Sequence, residues 1–360
     1  MNAKPLLRKI PIAIWVLILV LILVRIFLPV GVKYGVNWYL GQKLQNYEGH
    51  LDDFGLALYR GAYQFEGLRL WKKGKSAKDP LIEIKHTDLS LAWRALFKGK
   101  LLGDLKVDGV LLNLVDSQEK QKQQFGGGED WKTVVGKLIP IELESFKLSR
   151  SEVLFVNKEF KVPVKIVMDE INAEATNIKN TDDRKELLPS TVQASARLQK
   201  SAKLHAEAKI NLLSRLPAFE SKFKLDKLDV TKLNDFFLAY GSFNVHSGKF
   251  SLYGEVSTKE NMVKGYVKPF FENLDVMSPK EKFESPKRFF NEVAIAWANV
   301  FLRNSKDHTV ATKIEFEGAS KAPSINKWGA FWESLRNGFV EALKKQLDEK
   351  ITIKDVPKKK

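Results

Sequence analysis

The chain has 360 residues, 28% of them charged and 44% hydrophobic, and 59 Lys and Arg outweigh 43 Asp and Glu for a net charge of +16. That length suits about two average domains with a sizeable core, and most of it is too charged to be embedded in a membrane. Cysteine is absent, and the five histidines (His50, His86, His205, His246 and His308) are dispersed; disulfides, zinc–thiolate centres, iron–sulfur clusters and cysteine nucleophiles are therefore excluded.

The first element is a membrane segment. Ile10 to Val32 carries a single charge, Arg25, and about 20 apolar residues suffice to cross roughly 30 Å of hydrocarbon. Ile12, Trp15, Leu19 and Leu23 lie in the uncharged part. Arg25 stands near the distal end, where a long side chain can snorkel to the interface, and Pro29 and Gly31 mark the expected exit. A cleaved signal peptide is the rival reading, but Leu28-Pro29-Val30-Gly31-Val32 lacks an A-x-A-like cleavage site. Lys4, Arg8 and Lys9 in the leader place the N-terminus in the cytoplasm and the rest of the chain across the membrane. The lack of an Asn-x-Ser/Thr sequon favours a bacterial periplasm over a eukaryotic secretory route.

Beyond the anchor, apolar and polar residues alternate, the mark of strands with one buried face. Leu89, Leu91 and Trp93 alternate first, and Leu105–Val115 changes phase around Gly109, as a β-bulge allows. Lys161–Met168 puts Val162, Val164, Ile166 and Met168 on one side. Val192–Leu198, Leu204–Leu212 (with Ala206 and Ile210) and Phe219–Leu225 (with Phe223) repeat the pattern, as do Phe250–Val256 and Val310–Phe316. Short polar or glycine-containing links predict successive antiparallel pairing.

Helical patterns are few: Asp130–Leu138 after Gly126-Gly127-Gly128, Lys232–Tyr240 closed by Gly241, a helix opened by Ser285-Pro286, and Trp328–Asp348. In the last, Trp328, Trp332, Leu335 and Phe339 share a face; it either covers one end of the sheet or lies on a membrane surface. The fold class is thus mainly β with a few helices: one N-terminal transmembrane helix, then an antiparallel sheet, closed as a sandwich or curled into a trough, with C-terminal helices. The divisions are 1–9 (leader), 10–32 (anchor), 33–125 (first β region), 126–283 (central sheet) and 284–360 (helix–strand–helix cap). Roughly fourteen one-sided strands have few helices to cover them. Alternation alone leans to a closed sandwich with a dry core; the other solution is an open trough whose apolar lining takes an apolar ligand.

No P-loop, H-E-x-x-H or G-x-S-x-G motif occurs, nor any cofactor-binding motif, and no metal or catalytic residue is singled out. Carboxylate pairs such as Asp52-Asp53 and Asp182-Asp183 adjoin turns. Past residue 32 the chain retains 55 basic residues against 43 acidic, an excess of +12. It is dispersed and without a nucleic-acid motif, so anionic lipid head groups are the natural partner.

Several stretches carry a resemblance in their order. Tyr47-Glu48-Gly49-His50-Leu51, Tyr59-Arg60-Gly61-Ala62-Tyr63, Phe65-Glu66-Gly67-Leu68-Arg69-Leu70, Pro80-Leu81-Ile82-Glu83-Ile84 and Val107-Asp108-Gly109-Val110 resemble the N-terminal region of AsmA-like envelope proteins. Ser247-Gly248-Lys249-Phe250-Ser251-Leu252-Tyr253, Gly265-Tyr266-Val267-Lys268-Pro269 and Asn337-Gly338-Phe339-Val340-Glu341-Ala342 resemble an uncharacterised AsmA-related family. The resemblance implies an inner-membrane anchor, a periplasmic β-groove with an apolar interior and, for large members, movement of phospholipid between membranes. This chain is short: at about 4.8 Å per strand, fourteen strands stack to roughly 65 Å. A non-enzymatic phospholipid-handling role follows as the expectation, with acyl chains along Leu91, Trp93, Val164, Ile166, Ala206, Ile210, Phe223 and Leu225; the alternative is a scaffold with a closed sandwich that binds other envelope proteins. Nothing in the pattern indicates an oligomeric state.

Overall fold

The computed structural model describes residues 12–44, 47–57, 61–91, 102–116, 142–178, 187–211, 218–241, 244–259, 262–277, 309–311 and 313–319. A long helix, α1 (Ile12–Gln42), precedes β1 (Tyr47–His50), β2 (Asp53–Ala57), β3 (Ala62–Lys72), β4 (Ile82–Leu91), β5 (Leu102–Asp116), β6 (Glu142–Asn157), β7 (Val164–Ile178), β8 (Ser190–Leu198), β9 (Ala202–Asn211) and β10 (Ala218–Asp229). A 3-10 turn (Val230–Leu233) leads into α2 (Asn234–Gly241), followed by β11 (Asn244–Lys259), β12 (Met262–Met277), β13 (Thr309–Ala311) and β14 (Ile314–Ala319).

All strands belong to one 14-stranded sheet running from β1 and β2, which both pair with β3, to β13 and β14, which both pair with β12. The two ends do not meet. The sheet is open and curled, not the closed sandwich to which alternation leans. The reason is the order of pairing: each strand finds its partner beside it, leaving no second set of strands among the described residues to form an opposing layer.

One pairing departs from the expected succession. β5 and β6 are parallel, with Leu105 beside Phe146 and Leu112 beside Val153. Parallel neighbours need a long crossover, and residues 117–141 separate these two strands. Every other neighbouring pair is antiparallel. β6 itself escapes the alternation pattern, and the single strand expected over Val310–Phe316 is divided into β13 and β14. The helix expected over Lys232–Tyr240 is present as the 3-10 turn and α2. The helices expected at Asp130–Leu138, after Ser285 and over Trp328–Asp348 lie outside the described residues.

A line of left-handed backbone crosses the strands. It passes Gly67 on β3, Gly109 on β5, Arg150 on β6, Glu170 on β7, Lys227 on β10 and Asn273 on β12. Register slips accompany it between Leu148 and Ser151, Asp169 and Asn172, and Leu225 and Leu228. Each slip adds one residue to one strand, which bends it and increases its twist; in line, they curl the sheet. They also keep the apolar residues on one face while the sequence phase changes. On β7 the face carries Val164, Ile166 and Met168, then, past Glu170, Ile171, Ala173 and Ala175.

α1 runs for 31 residues through Pro29, ten beyond the expected exit at Val32. Proline removes one helical hydrogen bond and tolerates this in apolar helices. The stretch beyond Pro29 is held against the sheet: Asn37 donates to the Leu51 carbonyl (3.0 Å) and accepts from the Leu51 amide (2.7 Å), and Lys33 stands 3.9 Å from Asp53.

Candidate functional site

Register places one residue from nearly every strand in a single row on the apolar face. Phe54, Phe65, Thr87, Val107 and Leu148 are successive neighbours from β2 to β6. Leu148 then faces Ala173, and the row continues through Ala194, Ala206, Phe223, Gly254 and Val267 to Ile314. The face is therefore continuous across the whole sheet. In the middle, Ala173, Ala194 and Ala206 adjoin a second row of Ala175, Val192, Ala208 and Ser221. Bulkier residues flank these small ones: Leu198, Leu204 and Leu225 on one side, Ile210 and Phe219 on the other. The outcome is a floor of small side chains between two apolar ridges.

The sequence-predicted lining largely falls on this face. Leu91 stands opposite Gly103 at the end of β4, Val164 is fully buried beside Asn157, and Ile166 faces Phe155. Ala206 faces Phe223, Ile210 faces Phe219, and Leu225 is buried between Leu204 and Leu252. Trp93 lies outside the described residues, as do Trp328, Trp332, Leu335 and Phe339. Alternation missed Leu148, because β6 carries its bulge at Arg150, and Gly254, whose space is taken by the Phe223 ring: a Cβ there would fall 2.5 Å from Phe223 Cζ. Aromatic rings cluster at the β2 end, where Phe54 lies 5.1 Å from Phe65 and 6.4 Å from Tyr63 between ring centres.

The opposite face is polar on the central strands, and its charges pair across them. Lys147 Nζ is 2.6 Å from Glu174, Lys222 Nζ is 3.1 Å from Glu207, and Arg197 reaches Asp169 and Glu170 at 2.9 Å each. Asp108 accepts from Arg150 Nε (2.8 Å) and the Ser149 hydroxyl (2.7 Å), and these bonds lower its pKa to about 2. On β11 and β12 the side chains of Tyr253, Tyr266 and Phe270 are buried as well, with Tyr253 edge-on to Phe270 at 5.5 Å. Burial pushes the Tyr253 phenol up.

Strand directions gather the β3–β4, β6–β7 and β8–β9 turns and the end of β10 on one long rim. Exposed lysines occupy it: Lys73 and Lys78, Lys158 and Lys161, Lys200, Lys227 and Lys232. Chemically, the arrangement offers an extended apolar surface bordered by cationic side chains, which suits an amphiphile with an anionic head.

Of the anchor residues, Trp15, Leu19 and Leu23 are exposed along α1, with Ile12 in its first turn, and Arg25 donates to the Leu56 carbonyl at 3.3 Å. α1 is long and apolar enough to cross a membrane. No protein-family model matches the chain, and no curated protein matches it.

Proposed function

We propose that this chain is a bacterial inner-membrane protein, anchored by α1, whose periplasmic sheet binds phospholipid and helps move it within the envelope without catalysing a reaction. The observation that carries the proposal is the row from Phe54 to Ile314, apolar or small except for Thr87, on one side of an open sheet. Acyl chains would lie over the alanine floor, replacing water against apolar surface at a gain of about 25 cal/mol per Å². The lysine rim would hold the phosphate. The resemblance to AsmA-like proteins supplies the same substrate class. A scaffold for other envelope proteins drew on a closed sandwich, and the open sheet removes that support.

Adjacent residues on opposite faces test this reading. A photo-crosslinking side chain at Ala206 should capture phospholipid in cells, and one at Glu207 should not. Capture of protein rather than lipid from Ala206 would return the scaffold.

A further inference from the structure

α1 divides at Pro29. Ile14–Val20 and Ile22–Leu28 are exposed, whereas Pro29, Val32, Lys33, Val36, Asn37, Leu40 and Gly41 form a half-buried stripe. Their spacing of three and four residues is that of one helix face, and this face meets the sheet. From Ile12 to Leu28 the helix rises about 25 Å, preceded by apolar Ile10 and Pro11, which is close to the roughly 30 Å of a hydrocarbon core. The exposed part is thus about one bilayer long, the half-buried stripe begins where it ends, and the long Arg25 side chain reaches the sheet from that part.

The docked part fixes the direction of the sheet. Along α1, Arg25 meets Leu56, Lys33 meets Asp53, Asn37 meets Leu51, and Leu40 lies against Gly49. Helix and chain therefore run antiparallel, side by side. Fifteen residues of helix rise about 22 Å and seven of strand about 23 Å, so the two stay in step. No linker separates membrane from sheet.

Resting on the reading of α1 as a membrane span, we infer that the β2–β3 end of the sheet is seated in the head-group layer of the leaflet that α1 leaves. Its partner is the phospholipid surface itself. Arg25, one turn below Pro29, bonds Leu56 with one nitrogen and retains further N–H donors for phosphate. Tyr34, 76% exposed, stands about 7 Å above Pro29, within a head-group layer where amphipathic rings are favoured. Phe54, Tyr63 and Phe65 then open the apolar face at membrane level, so acyl chains can enter it directly from that leaflet. The β3–β4 turn lies at the other end of β3, away from the bilayer.

The lack of cysteine permits single spin labels on the full chain in vesicles of phosphatidylcholine and phosphatidylglycerol. Labels would be introduced by Leu19→Cys, Tyr34→Cys, Ala57→Cys and Lys75→Cys, and each compared for relaxation by oxygen and by a water-soluble nickel chelate. The Leu19→Cys label should be open to oxygen and closed to nickel. Those at Tyr34→Cys and Ala57→Cys should lie at intermediate depths, the Ala57→Cys label the deeper because Leu56 stands beside Arg25, with nickel access at both several-fold below that at Lys75→Cys. A lipid-buried label at Leu19→Cys with nickel access at Ala57→Cys and Tyr34→Cys equal to that at Lys75→Cys overturns the seating alone. Nickel access at Leu19→Cys overturns the span, and the seating with it.

Discussion

Asp108 links two strands where both turn left-handed. It sits beside Gly109, where β5 turns left-handed, and ties itself to Arg150, the bulge residue of β6. Its carboxyl is held at about 2, against 3.8 unperturbed, by the Arg150 and Ser149 hydrogen bonds. Because the folded value is depressed, the stabilisation is complete above the unfolded pKa and is lost as pH falls from near 4 through about 2. Asp108→Asn should therefore narrow the difference in unfolding free energy between pH 7 and pH 2, read by denaturant titration at both. An unchanged difference would separate the pair from the stability of the seam.

Two asparagines join helices to strands by the same means. Asn37 of α1 satisfies both backbone groups of Leu51, and Asn234 of α2 does so for Val245, at 2.8 and 2.9 Å. Leu51 is fully buried, so Asn37→Ala leaves its amide without a partner, at a cost of about 1–3 kcal/mol. Hydrogen exchange at the Leu51 amide should accelerate correspondingly, while exchange in β8 and β9 stays as it was. Elements with unbroken alternation were legible: β8, β9 and most of β10 lie where Val192–Leu198, Leu204–Leu212 and Phe219–Leu225 point. Bulged strands were legible only up to the bulge. β7 reads as a strand to Met168 and then loses phase at Glu170, a residue with no sequence sign of left-handed backbone. Gly109 was visible because glycine advertises that conformation; Arg150 and Lys227 do not.

At the scale of the molecule, alternation states that each strand has an apolar face but not what lies opposite it. Closed sandwich and open trough share one pattern, and only pairing order separates them. The continuation of α1 past Pro29 was hidden for a similar reason, since it depends on docking to β1 and β2 rather than on helix propensity. The open sheet predicts that charge on its floor can be hydrated and so tolerated, whereas in a sealed core an unpaired carboxylate would be prohibitive. The most direct measurement is therefore bound phospholipid per chain, by native mass spectrometry and lipid extraction, for the full-length protein and its Ala206→Asp variant, with folding followed by circular dichroism. The account predicts stoichiometric phospholipid on the native protein and a folded variant that has lost it. A native chain free of lipid, or a variant that keeps its lipid or fails to fold, would contradict it.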